Sequence, residues 1–159
     1  MAAPIVSWRL GDNSDEMERW SIGRIDAGQE GPQQEILIWN NFAGEEDVAH
    51  MQDCKFTTTD SMLDTLDVVA GKWVYVRCDS FDEVAFTQVG GETKKTIGAR
   101  RVNDEGELLN DGIIEGVAND GSIDNVTNYA KITTYFQSDL HGVQAGPRNF
   151  KLRVEYFYV

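Results

Sequence analysis

Residues 148–159, RNFKLRVEYFYV, carry the clearest strand pattern in the chain. Its apolar side chains recur at every second position, at Phe150, Leu152, Val154, Tyr156 and Tyr158. Polar or charged residues fill the alternate positions as far as Glu155. Because strand side chains point alternately to opposite faces, this pattern predicts an antiparallel strand with one face on the core and one in water. The sequence stops within this strand, so we expect one of its edges to be available for pairing.

Four earlier segments show strand patterns and are separated by turn-forming residues. These segments are residues 4–10, 34–40, 73–79 and 128–137. Residues 34–40 (QEILIWN) are apolar almost throughout, as expected of a strand covered on both faces. In residues 128–137, Ala130 and Ile132 fall on one face, whereas Tyr129 and Lys131 fall on the other. Strands joined by turns, without regular helices between them, predict an all-β, immunoglobulin-like antiparallel β-sandwich that forms one domain over residues 1–159.

Two stretches depart from the strand pattern. In residues 61–70 (SMLDTLDVVA), Met62, Leu66 and Val69 have helical spacing, which predicts one short helix in a crossover. Residues 99–121 are acidic and rich in glycine, and we predict a long, irregular surface loop there. Loops of that length are uncommon unless they contact a partner.

The charge of the chain excludes two classes of partner. Fourteen Lys and Arg stand against 27 Asp and Glu among 159 residues, so the formal net charge is −13. Such a surface repels the phosphate backbone of nucleic acids and anionic membranes. We expect no signal peptide, and no apolar run is long enough to span a bilayer. The acidity is instead typical of a protein that must stay soluble before assembly.

The residues that most often carry chemistry are few and scattered. His50 and His141 lack a Cys or carboxylate at the spacing of a zinc site, so we predict structural or surface roles. Cys54 and Cys78 lie in strand-like segments without a recognisable base nearby, and we expect reduced, half-buried thiols. We therefore predict no catalytic, cofactor-binding or metal site, and no enzymatic activity.

Two loops contain the oxygen ligands that calcium prefers, and one turn resembles a phosphate loop. Residues 12–16 and 119–125 carry several Asp and Asn, but counting from Asp120, the twelfth position of a calcium loop is Lys131 instead of Glu. Turn-forming side chains account for both loops. Residues 90–96 (GGETKKT) lack the first glycine of a phosphate loop, and we predict a hairpin there.

The four tryptophans allow two interpretations. Trp8, Trp20, Trp39 and Trp73 all occur in strand-like segments, which favours packing in the core. The alternative is an exposed platform for a sugar ring.

Three segments resemble known proteins. Residues 20–28 (WSIGRIDAG) and 36–41 (ILIWNN) are similar to the opening of immunoglobulin-like domains, in which a strand and a glycine turn precede a strand that ends in Asn. Asn40 or Asn41 would cap that strand end. Residues 143–154 (VQAGPRNFKLRV) resemble the turn and final strand that close such sandwiches. Together with GKWVYVRCDS, TQVGGETKKTIGA and GVANDGSIDNVTNYAKIT, these segments resemble small structural proteins of tailed bacteriophages and prophages.

The resemblance implies a non-enzymatic virion protein, assembled in the cytoplasm of a bacterial host. It would be a capsid decoration or head-fibre protein, or a tail, neck or baseplate accessory. Its partners would be other virion proteins and further copies of itself, on a lattice or in a homo-oligomer, without cofactors, nucleic acid or membrane. Our candidates for the docking surface are residues 100–121 and the final strand. The alternatives are a carbohydrate-binding module of a receptor-binding fibre, and a small glycoside hydrolase with two opposed carboxylates.

Overall fold

The computed structural model describes residues 1–159 and contains eight strands. The strands are β1 Val6–Leu10, β2 Gln34–Asn40, β3 Gln52–Thr59, β4 Val74–Cys78, β5 Thr87–Val89, β6 Lys95–Thr96, β7 Tyr129–Phe136 and β8 Lys151–Phe157. One α-helix, α1, covers Asp67–Ala70, and two turns of 3-10 helix cover Asp79–Phe81 and Val126–Asn128.

The strands form two antiparallel sheets. The larger sheet has the order β1-β2-β7-β4-β5, and the smaller has the order β6-β3-β8. Every pair of neighbouring strands is antiparallel. The prediction of an all-β sandwich with one short helix is therefore confirmed.

The helix is shorter than residues 61–70 because a carboxylate binds the backbone ahead of it. Asp60 accepts hydrogen bonds from the backbone N–H groups of Met62, Asp64 and Leu66. An aspartate that binds nearby N–H groups favours a turn over a helix. Regular helical bonding therefore begins only at Asp67.

The inner faces of the two sheets share one apolar core. From the larger sheet it includes Ile36, Ile38, Val74, Val76, Ala130 and Ile132, and from the smaller sheet Cys54 and Phe56. A second cluster, of Leu37, Trp39 and Tyr129, covers the outer face of the larger sheet. Both faces of β2 are therefore buried, as its apolar sequence predicts, and the alternation predicted for β7 is confirmed.

The turn within residues 90–96 passes from one sheet to the other. Gly90 and Thr93 exchange backbone hydrogen bonds of 2.9 Å in each direction. The strands on either side do not pair with each other, because β5 belongs to the larger sheet and β6 to the smaller. The predicted hairpin is thus correct as a turn and wrong as a strand pair. A Cβ atom on Gly90 would lie 2.1 Å from the carbonyl oxygen of Val69, so only glycine fits there.

The prediction of an irregular loop over residues 99–121 is only half right. Residues 101–109 form a small projecting hairpin, in which Val102 lies opposite Leu108. The remainder runs beside the segment that leads into β3, where Met51 and Ile114 exchange backbone hydrogen bonds of 2.9 and 3.0 Å. Ile114 is fully buried. This second half is therefore part of the sandwich, and only the hairpin is a free surface feature.

Three buried asparagines hold the second half of this segment in place. Asn40 donates from Nδ2 to the carbonyl oxygens of Ala49 and Ile114, at 2.9 and 3.3 Å. Asn41 Nδ2 donates to the carbonyl oxygens of Gly116 and Val117. Asn128 Nδ2 donates to those of Glu115 and Val117. The expected capping of the β2 end by Asn40 or Asn41 is confirmed, since both side chains bind backbone beyond it. Buried carbonyl groups need such partners in the absence of a strand ladder.

Candidate functional site: an open sheet edge and an aromatic cleft

Strand β8 lies at one side of the smaller sheet and pairs only with β3. The directions of the β3 backbone groups follow from the hydrogen bonds on its other side. Cys54 donates to Gly112 and accepts from Ile97, and the carbonyl oxygen of Thr58 accepts from Gly91. Alternate residues of a strand direct their N–H and C=O groups to opposite sides. Since the backbone groups of Cys54 and Thr58 point away from β8, those of the odd-numbered residues Lys55 and Thr57 point towards β8.

The register then decides which groups of β8 remain unpaired. Lys55 and Thr57 of β3 lie opposite Glu155 and Arg153. These two residues of β8 therefore direct their N–H and C=O groups towards β3. Leu152, Val154 and Tyr156 direct theirs outward, where no backbone partner is present. We call these outward groups of Leu152, Val154 and Tyr156 the open edge.

The two faces of β8 differ in chemistry. The side chains of Leu152, Val154 and Tyr156 are half-buried and pack on the core. On the outer face, a carboxylate oxygen of Glu155 lies 2.8 Å from Lys94 Nζ and the other lies 3.7 Å from Arg153 Nη2. The hydrogen bond that Lys94 donates to Glu155 raises the pKa of Lys94.

The charged face of β8 also contains one unused donor. Arg153 Nε is buried from solvent and has no hydrogen-bond partner. Apolar surface follows at the end of the strand, where Phe157 is 68% exposed and Tyr158 is 51% exposed. The edge thus combines unpaired backbone groups, an unsatisfied guanidinium nitrogen and exposed aromatic rings. The prediction from residues 148–159 that one edge of this strand is free agrees with this geometry.

A cleft of about 1330 Å³ lies at the end of the sandwich where β8 begins. Its walls are residues 17–27 on one side and residues 143–152 on the other. The aromatic residues that line it are Trp8, Trp20, Trp73, Phe136 and Phe150. Charged side chains at its rim include Glu18, Arg19, Arg24 and Lys151. We call this feature the cleft.

The first wall corrects a prediction. Residues 20–28 were expected to form a strand that ends in a glycine turn. The turn at Gly28 is present, but the residues before it belong to no sheet. Gly23 and Gly28 have φ values of +84° and +76°, which interrupt an extended chain. Within residues 20–29 the only backbone–backbone hydrogen bond is the one that Gln29 donates to Asp26, at 3.0 Å. Side-chain packing holds the wall instead, with Trp20 edge-on to Phe150 at 6.2 Å between ring centroids.

The four tryptophans divide into two pairs. Trp39 and Trp73 are buried, with exposed fractions of 0% and 3%. Trp8 and Trp20 are half-buried, because each packs on the core and also lines the cleft. The predicted packing role therefore fits all four residues. Only Trp8 and Trp20 also offer a substantial surface to a ligand.

A latch holds the second wall of the cleft against the helix. The guanidinium group of Arg148 donates to both carboxylate oxygens of Asp67, each at 2.8 Å. It also donates to the carbonyl oxygen of Gln144 and lies 5.4 Å from the ring centroid of Trp73. Paired guanidinium bonds fix orientation as well as distance. The pKa of Asp67 is accordingly lowered, first by the hydrogen bond from Arg148.

Release of this latch at low pH is our first prediction. The folded state lowers the pKa of Asp67 below its ordinary value of 3.8. The stabilisation is therefore complete above pH 3.8 and is lost as the pH falls from there through the lower folded value. Asp67→Asn should produce the released state at neutral pH. Proteolysis of residues 138–150 should then accelerate, whereas Asp104→Asn, on the exposed hairpin, should leave the rate unchanged. Equal rates in Asp67→Asn and the wild type would contradict the latch.

The cysteines lie in the core, one in each sheet. Cys54 belongs to β3 and Cys78 to β4, and both are free thiols with no exposed surface. Burial, reinforced by the charge of Asp53, raises the pKa of Cys54 to about 12. Burial also raises the pKa of Cys78 to about 11. The thiols were predicted to be half-buried, but both are fully buried, because each strand is covered on the side that carries the thiol.

Labelling of these thiols is our second prediction. Because the thiolate is the reactive form, a disulfide reagent at pH 8 should modify neither cysteine in the native protein. Both should react once denaturant unfolds the chain, in step with the loss of circular dichroism. Rapid modification of one thiol without denaturant would show that this thiol is accessible, and it would then again be a candidate nucleophile.

The two calcium-like loops meet in the fold. Asn13 Nδ2 donates to the carbonyl oxygen of Gly121 at 2.9 Å. Asp12 accepts from Ser14, and Asp120 accepts from the backbone N–H of Ser122. Hydrogen bonds from these serines lower the pKa values of both aspartates. These contacts are those of turn-forming side chains.

The histidines lie apart from the edge and the cleft. His50 is half-buried in the segment that leads into β3, and its Nδ1 has no hydrogen-bond partner. His141 is exposed in the segment that follows β7. No group of three or more His, Cys, Asp and Glu side chains is arranged to hold a metal ion.

Comparison with known protein families, with curated proteins and with solved structures gives no match. None of the helices has the length and apolar character needed to cross a membrane. The open edge and the cleft are therefore interpreted from their own geometry.

Proposed function

We propose that this chain is a non-enzymatic structural protein of a phage particle that docks on neighbouring protein subunits through the open edge of β8. The observation that carries the proposal is the row of unpaired backbone groups at Leu152, Val154 and Tyr156, next to exposed Phe157. Proteins usually protect such edges, because an unpaired strand attracts a strand from another chain. The edge here lacks a covering helix or proline, which suits a surface used for assembly.

Strand addition would supply both affinity and alignment. An incoming strand would complete the hydrogen bonds of the open edge, and its alternate side chains would meet either the apolar or the charged face of β8. The net charge of −13 keeps the chain soluble and opposes non-specific aggregation. Docking then requires a partner whose charges match the local pattern of β8. This combination suits a protein that remains soluble until it meets its lattice.

The phage setting is supported by a resemblance to virion proteins that rests on residues 20–28, 36–41 and 143–154 together with GKWVYVRCDS, TQVGGETKKTIGA and GVANDGSIDNVTNYAKIT. By themselves, the first three segments resemble immunoglobulin-like domains. Residues 20–28 and 143–154 meet in the fold, since they contribute to the walls of the cleft. Residues 36–41 include most of β2, which is buried.

Immunogold electron microscopy of purified particles tests this proposal. An antibody against the chain should label particles at regular positions, on the head for a decoration protein and at the neck or tail for an accessory. The same antibody preabsorbed with the purified chain is the control and should give no label. Unlabelled, intact particles would overturn the proposal.

The cleft favours a second candidate, carbohydrate binding. Trp8 and Trp20 are half-exposed in a cleft large enough for several sugar rings, and aromatic faces and polar rims are common in ligand sites. Arg24 and Lys151 at the rim would bind hydroxyl or acidic groups of the sugar. A virion fibre that carried this site would recognise glycans of the host surface.

Fluorescence titration with host cell-wall oligosaccharides tests the second candidate. A bound sugar should shift the tryptophan emission, because Trp8 and Trp20 would lose contact with water. Trp20→Ala should abolish the shift, whereas Phe157→Ala, which removes an exposed ring outside the cleft, should preserve it. An emission spectrum of the wild type that does not respond to any of the sugars would dismiss this candidate.

A further inference from the structure

We infer that the open edge of β8 pairs with the open edge of a second copy of this chain, antiparallel and with the two-fold axis at Val154. The inference rests on the proposed function, because it uses the same edge and names its partner. Pairing in this way would join two three-stranded sheets, each of order β6-β3-β8, into one continuous sheet. A two-fold interface of this kind is self-complementary and closed.

The backbone limits the possible registers. In an antiparallel pair, residues whose groups point at the partner must lie opposite one another. Leu152, Val154 and Tyr156 are the outward residues of β8. An axis at Val154 places Val154 opposite itself and Leu152 opposite Tyr156 of the second copy. All three outward residues then form bonded pairs, with two backbone hydrogen bonds in each pair.

The charged face selects among the registers. With the axis at Val154, Arg153 lies opposite Glu155 of the second copy, and this contact occurs twice. An axis at Arg153 would place Arg153 opposite itself, although Glu155 would then lie opposite Lys151 of the second copy. An axis at Glu155 would place two carboxylates opposite one another. Opposite charges at facing positions stabilise a strand pair and like charges destabilise it. Among these registers, only the axis at Val154 places opposite charges face to face without also facing two like charges.

The same register satisfies groups that are incomplete in the single chain. Arg153 Nε is buried and without a partner in the single chain, and it would reach a carboxylate oxygen of Glu155 from the second copy once the guanidinium group turned outward. On the inner face, Leu152 would lie against Tyr156, which extends the apolar layer across the axis. Lys94 would stay beside Glu155 of its own chain and lend it a second positive neighbour.

A charge-reversal pair tests the register. Arg153→Glu alone would place two carboxylates opposite one another on each side of the axis, and Glu155→Arg alone would do the same with two guanidinium groups. We expect both variants to be monomers where the wild type is a dimer, as measured by sedimentation velocity over a concentration series. Mixed together, the two variants should form a heterodimer, because every facing pair is then of opposite charge.

Lys151→Glu is the matched control. It makes the same change of charge as Arg153→Glu on the same face, but its opposite position is the uncharged Phe157, so its dimer should persist. Circular dichroism of each variant checks that the fold is retained. Recovery of the dimer in the mixture alone would support the register even if one variant were less stable.

The inference is overturned if the wild type stays monomeric at every concentration, or if the mixture stays monomeric while the wild type dimerises. These outcomes are distinct from those for the proposed function. Gold label on particles together with a monomer in solution would leave the virion role and remove the self-pairing. A dimer in solution without gold label would do the reverse.

Discussion

Asn40→Ala should lower the free energy of unfolding by about 3 kcal/mol, since each buried polar group left without a partner costs about 1–3 kcal/mol. Asn40 is fully buried at the end of β2. Its Nδ2 serves the carbonyl oxygen of Ala49, and its Oδ1 accepts from the backbone N–H of Ile5 at 3.0 Å. Alanine would remove both bonds and would leave the buried carbonyl oxygen of Ala49 without this partner.

Urea denaturation followed by circular dichroism would measure this loss. Asn149→Ala is the control, because Asn149 is exposed and its side chain has no hydrogen bond, so a change within about 0.5 kcal/mol is expected. Residues 111–117 should also become more sensitive to protease in Asn40→Ala than in the control. A loss no larger than that of the control would show that the asparagines do not hold this segment.

Phe56→Ala should cost about 3–5 kcal/mol, the usual range for removing a buried phenylalanine side chain. Phe56 is fully buried in the middle of β3 and packs against Trp8, with ring centroids 6.2 Å apart. It also lies directly opposite Val154, so it supports the inner face of β8. The substitution would leave a void between the two sheets where both contribute side chains.

Calorimetry would measure this effect as a large fall in Tm, and Trp8 should report increased exposure through its fluorescence. Phe157→Ala is the matched control, because it removes the same ring from a position that is 68% exposed. Its effect on stability should be within about 0.5 kcal/mol. Similar losses for the two variants would mean that β3 is not at the centre of the core.

The spacing of apolar residues located the strands that are buried either on both faces, as β2 is, or on one face only, as β8 is. Residues 34–40 match β2 at both ends, and the alternation in residues 148–159 contains β8. Strand β3 (QDCKFTTT) was recognised only as a strand-like segment around Cys54, without bounds. Its core face carries Thr58 beside Cys54 and Phe56, so polar and apolar residues do not alternate. Asp53, with a φ of +51°, lies within the register shift near the start of β3 and further hides the period.

The remaining errors come from contacts between distant parts of the chain. Residues 111–117 appear to be an acidic loop until Met51 and the buried asparagines supply partners for their backbone. Residues 20–28 have strand-like composition, yet no neighbouring strand pairs with them. Neither partnership can be predicted from a local pattern, because each joins segments that are far apart in sequence.

The candidate site was foreseen in part. The final strand was predicted to have a free edge, but the identity of its outward residues required the pairing of Lys55 with Glu155. The cleft could not be predicted, since it depends on the meeting of Trp20 and Phe150 from opposite ends of the sequence. The hairpin at residues 101–109 remains a candidate for docking and carries the acidic tip expected there.

Site-resolved hydrogen exchange along β8 would show whether the open edge is used in assembly. The full chain would be labelled at a concentration low enough to keep it monomeric and again in its assembled state, then quenched and dissociated before analysis. In the free monomer, the amides of Arg153 and Glu155 should be protected by β3, while those of Leu152, Val154 and Tyr156 exchange rapidly. Assembly should protect these three amides and change the other two little. Rapid exchange of the outward amides in the assembled state would contradict docking through this edge.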